Sequence, residues 1–210
     1  MGVWISIVGG AKSGKTEFAA SVCEPLDNVI WWGTAVEIPH DPEWQERLQS
    51  LRSARKKNWV TLEGPAAWPV DTSSVPHMNP NSVFVLDSLN LWLAAQMQHA
   101  VTRYSHSQMR THLEIEFQQL LKSLRQLPGS VMVVTAEAGS GVVPSGEAGR
   151  LFRELIGQWN QTIVESAHFG VTMQCGQAFL WPAGLTPVGD SGDPVRRVSK
   201  THVHRLLSQV

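Results

Sequence analysis

Gly9-Gly10-Ala11-Lys12-Ser13-Gly14-Lys15-Thr16 follows the apolar run Trp4-Ile5-Ser6-Ile7-Val8 and leads into Lys15 to Val22, a segment able to start a helix. Every fixed position of the pattern G-x-x-x-x-G-K-[ST] is filled, and strand–loop–helix is the setting in which that pattern holds phosphate. Glycines let successive backbone N–H groups turn toward one anion, and the N-terminus of the following helix adds partial positive charge. In such a loop Gly9, Gly10, Ala11, Lys12, Ser13 and Gly14 form the cradle. Lys15 reaches the β- and γ-phosphates, and the Thr16 hydroxyl ligates Mg²⁺. The stretch predicts a nucleoside triphosphate, GTP or ATP with Mg²⁺, as ligand.

Outward from this loop, short apolar runs alternate with longer amphipathic ones. Val29-Ile30-Trp31-Trp32, Trp59 to Glu63, Val83-Phe84-Val85-Leu86 and Val131-Met132-Val133-Val134 read as strands, and Val171 to Leu180 holds one or two more. Asp41 to Lys57 is polar with helical character. From Ser107 to Leu127, Met109, Leu113, Phe117, Leu120, Leu121 and Leu124 recur at helical spacing, and Leu151, Phe152, Leu155, Ile156, Trp159 and Ile163 mark another helix. Such alternation predicts an α/β fold, a mostly parallel sheet with helices on both faces. Gly64 to Ser82 reads as a long surface loop. From Pro182 onward Gly, Pro and Asp dominate, which predicts a nucleotide-binding domain over 1–182 and a loosely packed tail over 183–210.

Composition narrows the function. At 210 residues the chain suits one core rather than two domains. A formal net charge of −1 argues against a nucleic-acid partner, which demands a basic excess. Cys23 and Cys175 form no CxxC, so zinc and disulfide frameworks lack support. No apolar run approaches the roughly 20 residues of a membrane span, and the short apolar start lacks the charged region of a signal peptide. The expected location is cytoplasmic. Nine tryptophans are scattered along the chain, which suits core and pocket-lining positions.

A phosphate loop requires an acid at the end of a neighbouring strand to hold the metal or its water shell. Asp87, after Val83 to Leu86, fills that place and joins Thr16 as the predicted metal side. Thr135-Ala136-Glu137-Ala138-Gly139-Ser140-Gly141-Val142-Val143-Pro144 begins where another buried strand ends, the edge at which open α/β sheets bind ligands. Its glycines permit close backbone approach, and Glu137 places an acceptor there.

These features occur in order with Asp87-Ser88-Leu89 and Trp92, Arg150-Leu151-Phe152-Arg153, Gly157, Asn160-Gln161, and Arg47, Arg55, Trp59, Thr61 and Glu63. Together they resemble the bifunctional adenosylcobinamide kinase / adenosylcobinamide-phosphate guanylyltransferase family of cobalamin biosynthesis, over roughly residues 3 to 180. The resemblance implies a RecA-like P-loop fold, often a homo-oligomer and in particular a trimer, with sites at subunit boundaries. It also implies two reactions. One phosphorylates the aminopropanol hydroxyl of cobinamide from ATP or GTP; the other passes GMP from GTP to that phosphate through a guanylylated histidine. Lys15, Asp87, Glu63 and Glu137 are the candidate catalytic residues, the two glutamates to orient the acceptor hydroxyl or act as base. Arg47 and Arg55 join residues 9–16 as candidate nucleotide ligands.

The family pattern around its histidine is R-I-x-H-H-[KR]-x-x-R-P-x-x-W. This chain reads Arg47-Leu48-Gln49-Ser50-Leu51-Arg52-Ser53-Ala54-Arg55-Lys56-Lys57-Asn58-Trp59. Both arginines and the tryptophan keep register, but Ser50 and Leu51 stand in place of the histidines and Lys56 in place of the proline. Neutral imidazole attacks phosphorus near pH 7; a serine hydroxyl requires a general base, and the residues of this stretch offer arginine, lysine, glutamine and leucine. His40 lies nearly three helical turns away, about 15 Å. His106, His112, His202 and His204 read as surface residues. The sequence thus predicts a kinase whose guanylyltransferase step is lost. A repurposed NTPase acting on another substrate and a non-catalytic nucleotide-binding protein are the competing readings.

Overall fold

Strands that are apolar at every position are stable only when both sheet faces are covered. The computed structural model describes residues 2–53, 55–65, 75, 78–182 and 196–208. In chain order the elements are β1 (Trp4–Gly9), α1 (Lys15–Cys23), β2 (Val29–Gly33), α2 (Pro42–Ser53), β3 (Val60–Glu63), β4 (Val83–Asp87), α3 (Leu89–Ala100), α4 (His106–Arg125), β5 (Ser130–Ala136), α5 (Glu147–Ser166), β6 (Phe169–Gln174), β7 (Gln177–Pro182), β8 (Arg196–Val198) and α6 (Lys200–Ser208). The sheet order is β3-β2-β4-β5-β1-β6-β7-β8. The first six strands run parallel, and β7 and β8 add antiparallel at one edge.

Strand periodicity divides the apolar side chains between two cores. Trp4, Trp32, Phe84, Leu86, Val131 and Val133 face α3, α4 and α5, where Phe117 and Trp159 stack with ring centroids 4.3 Å apart. Ile5, Ile7, Trp31, Val85, Met132 and Val134 face α1 and α6. This is the two-faced, mostly parallel α/β sheet that the alternation predicts. Trp4, Trp31, Trp32, Trp59, Trp92 and Trp159 are buried, whereas Trp181 is 41% exposed.

The structure departs from the sequence reading at three places. Helix α3 carries no amphipathic stripe because Leu89, Trp92, Leu93, Ala95, Met97 and Ala100 bury several of its sides at once. Helix α2 stops at Ser53, short of Lys57, where the Arg55 N–H donates to the Arg52 carbonyl and turns the chain. Val171 to Leu180 does hold two strands, as the sequence reading allows, paired as a hairpin whose two turn residues, Cys175 and Gly176, are both left-handed, as a tight primed turn requires. Residues 196–208 are not loosely packed. β8 pairs with β7, and α6 lays Val203 and Leu207 against α1, with the His204 ring 3.2 Å from the Val22 carbonyl. The Gly- and Pro-rich composition before this segment conceals its short amphipathic period. Most of the loop expected over 64–82 lies outside the described residues. Among the described residues, no helix is long and apolar enough to cross a membrane.

Phe117→Ala empties the stacked position against Trp159 and is expected to lower the unfolding free energy by about 3–5 kcal/mol. Ile115→Ala, on the same helix but 51% exposed, is expected to change it by less than about 0.5 kcal/mol. Urea denaturation of both variants measures the contrast.

Candidate functional site

Parallel strands deliver all their carboxyl ends to one edge of the sheet, and there the loops after β1, β4 and β5 come together. The peptide pairing fixes their height. Gly9 lies level with Ala136 across β1 and β5, and Asp87 with Val134 across β4 and β5. β5 therefore stands between the phosphate-loop strand and the acid-bearing strand, and the gap is bridged by side chains. The Thr16 hydroxyl donates to Asp87 Oδ1 at 3.0 Å.

The loop itself is held open by backbone geometry. Lys12 and Gly14 take positive φ, 54° and 93°. A side chain at Gly9 would drive its Cβ to 2.3 Å from the Met173 carbonyl oxygen. Lys15 folds back over the loop, with Nζ donating to the Gly10 carbonyl at 2.6 Å and to Ser13 Oγ at 3.4 Å. Burial lowers the Lys15 pKa from its ordinary value, the Asp87 and Glu17 charges oppose that, and the Arg47 charge adds to it. Burial also pushes the Asp87 carboxyl up to about 6, against the Thr16 hydrogen bond and the Arg55 charge, which pull it down.

Among the described residues no cluster of three or more His, Cys, Asp or Glu exists to hold a metal. Thr16 and Asp87 instead offer two hard oxygens side by side. That donor set fits Mg²⁺, which takes one or two protein oxygens and completes its octahedron from phosphates and water. It does not fit a metal held by protein alone.

The predicted basic residues lie at the same edge. The Arg55 side chain is 8% exposed, pairs with Glu63 at the end of β3, and lies 5.5 Å from the Trp31 ring centroid. Trp31 in turn stacks on Trp59 at 5.6 Å. Gly33 makes the room: a Cβ there would stand 2.7 Å from Arg55 Nη2. Arg52 reaches Glu37 at 2.8 Å and Glu63 at 3.5 Å, so both Glu63 oxygens are engaged. Arg47 is exposed and covers the Trp44 ring at 5.5 Å. Glu137 is exposed on the loop after β5, where its Oε1 accepts from the Ser140 N–H at 2.9 Å. Arg153 fixes the same loop through the Gly139 carbonyl, and Arg150 through those of Pro144 and Ser145.

Ser50 is exposed on α2. The helix places Glu46 one turn before it, a carboxylate that lies just outside the stretch from Arg47 to Trp59. His40 is exposed, before α2 begins. Two further features escape sequence reasoning. Buried Thr34 clasps the start of α3 by donating to the Ser88 carbonyl at 2.7 Å and accepting from the Ser88 N–H at 2.9 Å. Asn160 ties α5 to β5 by accepting from Thr135 and donating to the Ala136 carbonyl. The order of Arg150, Arg153 and Asn160 behind the Glu137 loop was the only signal for the second.

A family model described as cobinamide kinase / cobinamide phosphate guanyltransferase matches residues 5–180. The bifunctional adenosylcobalamin biosynthesis protein CobP of Pseudomonas aeruginosa is 30% identical over 189 residues, 90% of this chain and 98% of that protein. The bifunctional adenosylcobalamin biosynthesis protein CobU of Escherichia coli is 28% identical over 170 residues, 78% of this chain and 91% of that protein. Among solved structures, an ATPase from the type III secretion system of pathogenic bacteria aligns with a TM-score of 0.54 at 12% identity. It covers 82% of this chain and 52% of that one, and at this identity the likeness shows a shared fold alone.

The raised Asp87 pKa has a stability consequence in metal-free protein. The folded state keeps the proton up to about pH 6, whereas the unfolded chain releases it near 3.8. Between those values the unfolded state binds fewer protons, so stability falls as pH rises. Relative to Asp87→Asn, the wild type is expected to lose about 2 kcal/mol between pH 4 and 6 and only a few tenths of a kcal/mol more above that window. Denaturant unfolding of the pair across pH 4–7.5 measures it; parallel curves throughout contradict it.

Proposed function

The chain belongs to the cobinamide kinase / cobinamide phosphate guanyltransferase family, and from that premise we propose that it is a nucleoside-triphosphate-dependent kinase that has lost the guanylyl-transfer step. One contrast carries this reading. The phosphate loop stands complete beside the Thr16–Asp87 pair, while α2 presents Ser50 where the family pattern has histidine. The acceptor we propose is a cobinamide hydroxyl, in keeping with the activity named for the family.

In that reaction the acceptor oxygen forms a bond to the γ-phosphorus as the bond to the β,γ-bridging oxygen breaks. The hydroxyl proton passes to a carboxylate, and the nucleoside diphosphate leaves. Lys15 exchanges its Gly10 and Ser13 partners for phosphate oxygens. Mg²⁺, held by Thr16 and Asp87, would supply charge neutralisation on the phosphates. Backbone N–H groups of residues 10–16 orient the chain of phosphates. Of the two candidate glutamates, Glu63 has both oxygens committed to arginines, whereas Glu137 Oε2 has no partner among the described residues and can meet a hydroxyl. Glu137 is therefore the residue we assign to the acceptor.

Guanylyl transfer through a protein adduct asks for more than positioning. Ser50 has a carboxylate, Glu46, one turn away, but a solvent-facing carboxylate is a weak base for an aliphatic hydroxyl. A second reading, a kinase for a different acceptor, is favoured by Lys56. It replaces the proline of the family pattern and pairs with Glu24 at 3.4 Å, a contact proline cannot make. Turnover of ATP and GTP with and without cobinamide separates the two.

Lys15→Ala is expected to weaken triphosphate binding about 10- to 150-fold through loss of charge-assisted phosphate contacts. Calorimetry with Mg-GTP and Mg-ATP checks it, and unchanged affinity counts against the site. With labelled GTP, the wild type is expected to form no acid-labile, base-stable GMP adduct, and Ser50→His to form at most a trace. A stoichiometric GMP adduct on the wild type, mapped by mass spectrometry, returns the chain to the bifunctional reaction.

A further inference from the structure

A triphosphate bound with its terminal phosphate at Thr16 and Asp87 has a direction. Asp87 ends β4, and in the sheet order β4-β5-β1-β6-β7 the phosphate loop follows β1 in the middle. Adjacent strands stand about 4.8 Å apart, so the Thr16–Asp87 end of the site lies toward β4, and β6 and β7 flank the phosphate loop on its other side. On that side the structure has a cavity of about 470 Å³, walled by Phe18 of α1, the Gly176–Ala178 end of the hairpin, and Arg197 to Ser199 of the C-terminal segment. Its size falls within the range of small-molecule sites.

The cavity adjoins the phosphate loop. A Cβ built on Gly14 would stand 3.8 Å from Gly176 Cα, and the Phe18 N–H donates to the Gly14 carbonyl at 2.9 Å, one helical turn on. Phe18 offers an aromatic wall, and Gln177 and Ser199 offer polar groups beside it. Arg197 is exposed and forms no ion pair or hydrogen bond among the described residues, so its guanidinium is available to a ligand. Arg197 also lies beyond residue 180, where the family match ends.

We infer that this cavity is the nucleobase subsite of the phosphate-loop site and that Arg197 makes it select guanine over adenine. A guanidinium only donates. Guanine presents two acceptors, O6 and N7, to such a fork, whereas adenine presents N7 beside the donating N6 amino group. The aromatic ring of Phe18 packs against either purine, so stacking supplies affinity and Arg197 supplies the choice. The inference rests on the phosphate-loop reading, and tripolyphosphate, which has no base, separates the two.

Wild type and Arg197→Ala are titrated calorimetrically with Mg-GTP, Mg-ATP and Mg-tripolyphosphate. The wild type is expected to bind GTP more tightly than ATP. In Arg197→Ala, GTP binding is expected to weaken about tenfold, with ATP and tripolyphosphate unchanged. Retained tripolyphosphate binding also shows that the variant is folded. A wild type that binds tripolyphosphate but does not distinguish GTP from ATP overturns the base subsite and leaves the phosphate loop standing. So does a GTP preference that survives in Arg197→Ala. Equal weakening of all three probes overturns it as well, because Arg197 would then act on phosphate. A wild type that binds none of them removes the phosphate-loop reading itself.

Discussion

The hydrogen bond between the Thr16 hydroxyl and Asp87 is the contact on which the rest of the site depends. It joins a side chain of α1, the helix that follows β1, to one at the end of β4, a strand that does not neighbour β1, and it closes only if β4, β5 and β1 keep their register. A slip of one residue at either pairing would turn Asp87 to the opposite face of the sheet. The apolar continuity of those strands is thus a requirement of the chemistry as well as of the core. The cost is a carboxylate taken out of water with one neutral donor to hold it. Such a group costs the protein stability, the usual trade between stability and function.

A second network is built around Arg55. Gly33 gives up a side chain to admit the guanidinium, Trp31 and Trp59 form its floor, and Glu63 neutralises it. Nothing in that construction involves residue 50. The framework therefore does not depend on which residue stands at position 50. The position is exposed on a helix whose only buried residue is Leu48, so its identity is set by chemistry and not by packing.

The parts of this architecture that were legible in the sequence share a physical trait. The phosphate loop and Asp87 are local patterns with fixed spacing, and β1, β2, β4 and β5 are apolar runs that only a buried sheet explains. What escaped is non-local. Thr34 holds Ser88 from 54 positions away, a pairing that no periodicity encodes. Helix α3 lacked an amphipathic signal because it is buried on several sides. The C-terminal segment was read by its glycines and prolines, which outweighed the two turns around Val203 and Leu207. Glu63 was legible as a site residue, but its commitment to Arg52 and Arg55 was not. Glu46 was missed because the stretch compared with the family pattern began one residue after it.

The docking of α6 on α1 couples the first and last helices among the described residues. Val22 and His204 touch across 182 residues. At a synthesis rate of about 5–20 residues per second, the ribosome takes roughly 10–40 s to deliver that cover after α1 has emerged. Throughout that interval the helix that begins the phosphate loop carries an open apolar flank, the kind of surface that chaperones hold and that invites aggregation. Until α6 arrives, the phosphate loop is made but the helix that follows it stands without its apolar cover.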